Sequence, residues 1–251
     1  MIDRAMQREC TTLRVAAVQF DPRIGAVAEN VARTVDLAAR AAAEGADLVV
    51  FPELSVGGYH LPQLTEKESW FTPEDVRLEP LRAFVGRSGI TLVVGAPVIC
   101  AGDRLIASLV LGPDGTVVAP KVHLHGAEVD YAVPGDGPAV LMVSGWRVAF
   151  AVCADTRAPE HAASAAAAGA QVYVASVLFV AGEEQKLEDR LTARARDNGM
   201  YVVSANTGGR PLGEPSAGTS GAWSPDGRRL VVSQGRDCEL VVADLVPRGA
   251  A

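Results

Sequence analysis

The chain is poor in the residues that carry several common functions. Its four cysteines, Cys10, Cys100, Cys153 and Cys238, are scattered and form no CxxC pair. That excludes a zinc ribbon and a dense disulfide framework, and it fits a reducing compartment. Basic residues are outnumbered by acidic ones, 23 against 30, for a formal net charge of −7, and no cluster of Lys and Arg overrides that balance. A nucleic-acid surface is therefore excluded. No long apolar run survives inspection either. Residues 165–182 would catch a hydropathy window, but alanine and glycine dominate their first part, and they read as a helix end, Gly169 and a buried strand. No membrane span is expected. Asp3, Arg4, Arg8 and Glu9 precede any apolar run and leave no room for the core of a signal peptide, so the expected location is cytoplasmic.

What is present is apolar material, 49% of 251 residues, enough for a large core. Short apolar runs and helical periodicities alternate. Strands are expected at 14–20, 47–51 and 90–94, with a helix over about 28–44. Thr72, Pro73 and Asp75 mark a helix start, and Pro80 is expected to split that region into two short helices. Gly112-Pro113-Asp114-Gly115 turns a hairpin between 105–111 and 116–119. The second half repeats the order: strand 147–152, an alanine-rich helix from Pro159, strand 171–177, helix 183–198 and strand 201–205. A second hairpin follows through Ser224-Pro225-Asp226-Gly227. Arg14-Val15-Ala16 recurs as Arg147-Val148-Ala149. The repeat predicts an α/β protein of two βαβαββ halves, a sheet from each packed face to face with helices outside. The domain is taken as residues 12–245. Residues 246–251 form a tail set apart, because Leu245-Val246-Pro247-Arg248-Gly249 resembles a protease-cleavage linker added for expression.

The stretch from Val148 to Asp155 organises the rest. It is a buried-strand pattern that ends on a thiol, and Pro159 and Glu160 then begin a helix. Cys153 would sit at a strand's carboxyl end and near a helix's amino end, where partial positive charge favours a thiolate. A packed core cysteine is the competing reading. Glu53 and Lys121 likewise lie just past predicted strands, each preceded by proline. Thiol, carboxylate and ammonium suffice for acyl transfer from nitrogen, with no metal or organic cofactor. Lone Glu and Lys residues beside turns are as readily solvated surface. His123 and His125 alternate as a strand requires, but no further ligands lie nearby, and His123 is expected to be packed and hydrogen-bonded.

Three segments decide between these readings. Phe51-Pro52-Glu53-Leu54 with Gly58-Tyr59, Lys121-Val122-His123-Leu124 with Glu128 and Pro134-Gly135-Asp136, and Cys153-Ala154-Asp155-Thr156-Arg157-Ala158-Pro159-Glu160 resemble, in order and separation, the three signatures of the nitrilase superfamily of carbon-nitrogen hydrolases. Ala195-Arg196-Asp197-Asn198 and Val202 to Asn206 extend the likeness over nearly the whole chain. The resemblance implies a four-layer α-β-β-α sandwich. It also implies Glu53 as general base and acid, Lys121 as oxyanion stabiliser and Cys153 as nucleophile. Glu128 maps onto the second glutamate that positions substrate and triad, and the Ala154 amide onto a second oxyanion donor. Tyr59, Val177 and Leu178 are expected pocket walls. The partners implied are a small amide and water, with pairing into a homodimer or higher homo-oligomer across the alanine-rich helix. Departures bear on substrate: Ala154 and Ala158 stand where many relatives have aromatics, and Val129 where many have Arg. A true nitrilase usually carries Trp-Glu after the cysteine, where this chain has Ala154-Asp155. Amide hydrolysis through a thioester is thus the leading expectation. Nitrile hydrolysis, acyl transfer to an amine, and a non-hydrolytic binding or protein-interaction scaffold are the alternatives.

Overall fold

Two six-stranded sheets and four α-helices make up residues 12–247, the part of the chain that the computed structural model describes. The first half runs β1 (Leu13–Gln19), α1 (Val27–Ala43), β2 (Leu48–Val50), α2 (Glu79–Ser88), β3 (Thr91–Cys100), β4 (Asp103–Gly112) and β5 (Gly115–Pro120). The second runs β6 (Ala139–Val143), β7 (Trp146–Val152), α3 (Pro159–Ala167), β8 (Val172–Val177), α4 (Glu184–Asn198), β9 (Tyr201–Asn206), β10 (Gly221–Trp223) and β11 (Arg229–Val232). A last strand, β12 (Glu239–Leu245), returns to pair antiparallel with β1. The sheet orders are β12-β1-β2-β3-β4-β5 and β6-β7-β8-β9-β10-β11. The repeat read from the sequence is therefore present in each half, with three strands after the second helix where βαβαββ allowed two, and β12 occupies beside β1 the place that β6 occupies beside β7.

Period-two alternation along the central strands builds the four layers. Val15, Ala17, Val50 and Val93 of one sheet meet Val148, Phe150, Val174 and Val203 of the other in the middle of the sandwich. Their neighbours in sequence face outward. Ala16, Val18, Val49 and Leu92 pack under Leu37 and Ala41 of α1 and Leu81 of α2; Ala149, Ala151, Tyr173 and Ala175 pack under α3 and α4. Strands buried on both faces explain the uninterrupted apolar runs. Tertiary packing also explains α3, whose nine residues are too few for a stable isolated helix. Each fully buried Leu or Val in these layers contributes about 1.5–3 kcal/mol.

Two local expectations need correction. Pro80 does not separate two α-helices. A 3-10 turn at Val76–Leu78, capped by the Asp75 side chain, leads into α2, and Pro80 lies in that helix's first turn. There its missing N–H costs no helical hydrogen bond. Strands β6 and β12 were not anticipated. The set-apart tail lies partly outside the described residues; Leu245 itself is fully buried, and the Tyr201 hydroxyl donates to the carbonyl of Val246 at 3.1 Å.

The repeat brings the carboxyl ends of β2 and β7 to the same end of the sandwich. Ser176 at the end of β8 donates to the Phe51 carbonyl across the two sheets at 2.8 Å. The turn that carries Glu53 is seated on Gly95 of β3: a Cβ there would lie 2.2 Å from the Leu54 nitrogen and 2.5 Å from the Pro52 oxygen. The Ser55 hydroxyl accepts from the Gly95 amide and the Val56 amide donates back to the Gly95 carbonyl, both at 3.0 Å. Gly95→Ala is expected to cost about 1–3 kcal/mol of stability as an overpacked site and to lower turnover by shifting Glu53. Thermal melting and steady-state kinetics on one preparation check both effects.

Candidate active site

Glu53, Lys121 and Glu128 come from three separate stretches and meet out of contact with water. Glu53 follows β2, Lys121 follows the Pro120 that ends β5, and Glu128 lies in a 3-10 turn at Gly126–Asp130. Each of the three is 1% exposed. Lys121 Nζ donates to Glu53 Oε1 and to Glu128 Oε1, each at 2.7 Å. Glu128 Oε1 also accepts from the Tyr59 hydroxyl at 2.9 Å, and Oε2 from the His125 amide at 2.7 Å. Glu53 Oε2 is left without a hydrogen-bond partner. An unpaired buried carboxylate oxygen is costly, and Glu53 lines the cavity that it shares with Cys153.

The electrostatics follow from burial and sign. Burial, opposed by the Lys121 charge and reinforced by Glu128, pushes the Glu53 carboxyl up to about 7. Burial alone would lower the Lys121 ammonium, but the adjoining Glu53 and Glu128 carboxylates and the Cys153 sulfur hold it above its usual range. Burial and then the Glu53 charge push the Cys153 thiol up, outweighing Lys121. The direction is opposite to the one expected for a cysteine at a helix's amino end. Burial, then the Glu53 and Glu128 charges, also raise the Tyr59 hydroxyl, which therefore serves as a donor.

Cys153 begins a 3-10 turn, Cys153–Arg157, directly after β7. Its φ is +41°, and Leu54, next to Glu53, has φ +49°. Left-handed backbone is uncommon for residues with a Cβ and persists only where surrounding contacts enforce it. Cys153 Sγ donates to the Leu178 carbonyl at 3.6 Å. The segment after Leu178 is held by Asn206, which accepts from the Phe179 amide at 2.8 Å and donates to the Phe179 carbonyl at 3.1 Å.

A cavity of about 240 Å³ joins Glu53, Tyr59, Lys121, Glu128, Cys153, Ala154 and Leu178. Val177 is not among its walls. It is fully buried with Tyr173 and Ala175 on the helix-facing side of β8, so the cavity begins one residue later, at Leu178. Ala154 is the second residue of the 3-10 turn, in the first positions, where amides have no partner within the turn. Among the described residues no group of three or more His, Cys, Asp or Glu is placed to hold a metal ion, and no helix is long and apolar enough to cross a membrane.

Comparison with known proteins gives the family. The family model for carbon-nitrogen hydrolases matches residues 14–250. The chain belongs to the carbon-nitrogen hydrolase family. The crystal structure of an amidase from Nesterenkonia is 31% identical, covering 94% of this chain and 91% of that one, with a TM-score of 0.84; a mutant of that enzyme is described as belonging to the nitrilase superfamily. A hydrolase of Mycobacterium tuberculosis is 30% identical over 93% of this chain and 89% of its own length. A nitrilase of Pyrococcus abyssi is 28% identical with the same coverage.

In this carbon-nitrogen hydrolase one residue inside the third motif has a structural part that the sequence did not reveal. Asp155 is fully buried. Its Oδ1 accepts from the amides of Val122 at 3.1 Å and His123 at 2.8 Å and lies 3.0 Å from His123 Nδ1, while its Oδ2 accepts from the Val152 amide at 2.9 Å. One carboxyl thereby fastens the segment after Lys121 to the turn of Cys153. His123 is hydrogen-bonded, as expected of a packed histidine, and 28% of its side chain remains exposed. The only advance signal was a charged residue directly beyond a buried strand. Asp155→Ala strands three backbone donors and is expected to cost about 3 kcal/mol or more, since each buried unpaired donor costs about 1–3 kcal/mol. Chemical denaturation of the two proteins measures the difference.

Proposed function

We propose that this carbon-nitrogen hydrolase cleaves a small amide through a thioester at Cys153. The observation that carries this reading is the meeting in one cavity of a buried thiol, a carboxylate with a partnerless oxygen, and a lysine held between two carboxylates. In the sequence of steps, Glu53 takes the thiol proton as sulfur bonds to the amide carbon, so no free thiolate has to form beforehand. Lys121 Nζ, with the Ala154 amide, stabilises the charge that develops on the carbonyl oxygen. The carbon–nitrogen bond then breaks as Glu53 passes its proton to nitrogen, and ammonia or an amine leaves. Water next adds to the thioester, giving a proton to Glu53. The carbon–sulfur bond breaks, the acid departs and sulfur regains a proton. Glu128 keeps Lys121 and Tyr59 in place throughout.

The relatives support a small acyl group. In the Nesterenkonia enzyme, the acetamide moiety of fluoroacetamide adds covalently at the active-site cysteine of one variant, and butyramide is bound by another. The same reading has two copies of this chain pairing over α3, whose exposed residues are Pro159, Glu160, Ala163, Ser164 and Ala167.

Cys153→Ser is expected to reduce ammonia release from butyramide by about a thousandfold or more, the scale seen when a nucleophile is removed. Intact mass should show the acetamide adduct of fluoroacetamide on the wild type and not on the variant. Undiminished release from the variant would refute the mechanism. With Glu53 at about 7 and required in its deprotonated form, log(kcat/KM) should climb with unit slope below that pH and flatten above it. A pH–rate profile tests this; a curve level from pH 5 to 7 would remove Glu53 as the base.

A further inference from the structure

Arg190 of α4 lines the catalytic cavity half-buried, and Arg157 lines it from the 3-10 turn after Cys153. Neither guanidinium has a hydrogen bond or ion pair among the described residues. Arg190 lies over the Phe179 ring, 5.4 Å from its centroid, which steadies the side chain and leaves its donors free. Glu183 acts on Arg190 as an opposite charge, and Arg157 and Arg194 act on it as like charges. Arg194 is 7% exposed, and its Nε and Nη1 lack partners. The one carboxylate on this side of the cavity is Glu183, which already binds Lys186 Nζ at 2.7 Å and accepts from the Val180 amide at 3.2 Å. Arginine cannot shed its charge at any ordinary pH, so this wall carries Arg157, Lys186 and Arg190 against the single carboxylate of Glu183 and is cationic on balance. A planar, forked donor at the edge of a small cavity suits a carboxylate.

We propose that the substrate is an amide that also bears a carboxylate, and that Arg190 binds that carboxylate while Cys153 attacks the amide carbon. This rests on the amidase reading above and narrows it. Arg157, more exposed, draws the anion toward the mouth. The carboxylate could stand on the acyl side, as in the monoamide of a short dicarboxylic acid, or on the nitrogen side, as in a carbamoyl amino acid. The chemistry recognised is the same.

Four probes separate the outcomes: succinamate and glutaramate for the acyl side, N-carbamoyl-β-alanine for the nitrogen side, and butyramide as the uncharged reference. Wild type is expected to favour at least one anionic probe over butyramide by about tenfold or more in kcat/KM. That preference should fall about tenfold or more in Arg190→Gln, mainly through KM, and return in part in Arg190→Lys. Added salt should weaken turnover of the anionic probe and leave butyramide unmoved. Turnover of butyramide with no preference for any anionic probe overturns this proposal alone, as does a preference that Arg190→Gln leaves intact. Silence toward all four probes, with no fluoroacetamide adduct, overturns the amidase reading and this proposal with it.

Discussion

Everything at this site depends on one buried ammonium shared by two carboxylates. Lys121, Glu53 and Glu128 have left water almost entirely, and each ion alone would cost several kcal/mol to desolvate. The 2.7 Å contacts on either side of Nζ offset that cost only because all three groups are present. Loss of any one strands a charge in the interior. The shared cation cannot serve both carboxylates fully, and Glu53, with one oxygen unbonded, is left with a proton affinity near neutrality. A carboxyl group that titrates near neutrality thus follows first from its burial, which the Lys121 charge opposes and the Glu128 charge reinforces.

The scaffold around this trio is stiff where chemistry needs fixed distances. The seat on Gly95 holds the Glu53 turn. The Asp155 carboxyl ties the strand that delivers Lys121 to the strand that delivers Cys153, so two sheets share one hydrogen-bonded junction. Cys153 and Leu54 both carry left-handed backbone, which such contacts can enforce and an isolated loop would shed. Preorganisation of this kind places the thiol, the carboxylate and the cation before any ligand arrives.

Much of the architecture was legible because both faces of the central strands are covered, so their apolar runs are unbroken, and because two Pro-Asp-Gly hairpins mark the repeat. β6 escaped because its residues are mostly half-exposed, Met142 being 62% exposed, so no apolar run announces it. β12 escaped because its partner β1 lies more than two hundred residues earlier, beyond any local pattern. At the site, the motifs identified the residues that converge, while roles for Glu128 and Ala154 came only from family likeness. Val177 was misplaced by one residue. The alternation that sends Val174 to the middle of the sandwich sends Val177 to the helices, and the cavity starts only where the strand ends. Asp155, Gly95 and Arg190 could not be ranked from sequence. Their importance lies in what other segments bring against them.

The return of β12 to β1 also bears on how the molecule is made. β1 leaves the ribosome more than two hundred residues before β12, yet one of its two hydrogen-bonding edges is filled only by residues 239–245. Until then an apolar strand, destined to be buried on both faces, presents a bare edge of the kind that recruits other strands. The first sheet therefore cannot finish as a separate co-translational unit, although it holds Glu53 and Lys121. Long-range closure of this sort is slow, and nascent chains of this fold are exposed to mispairing until β12 has been synthesised.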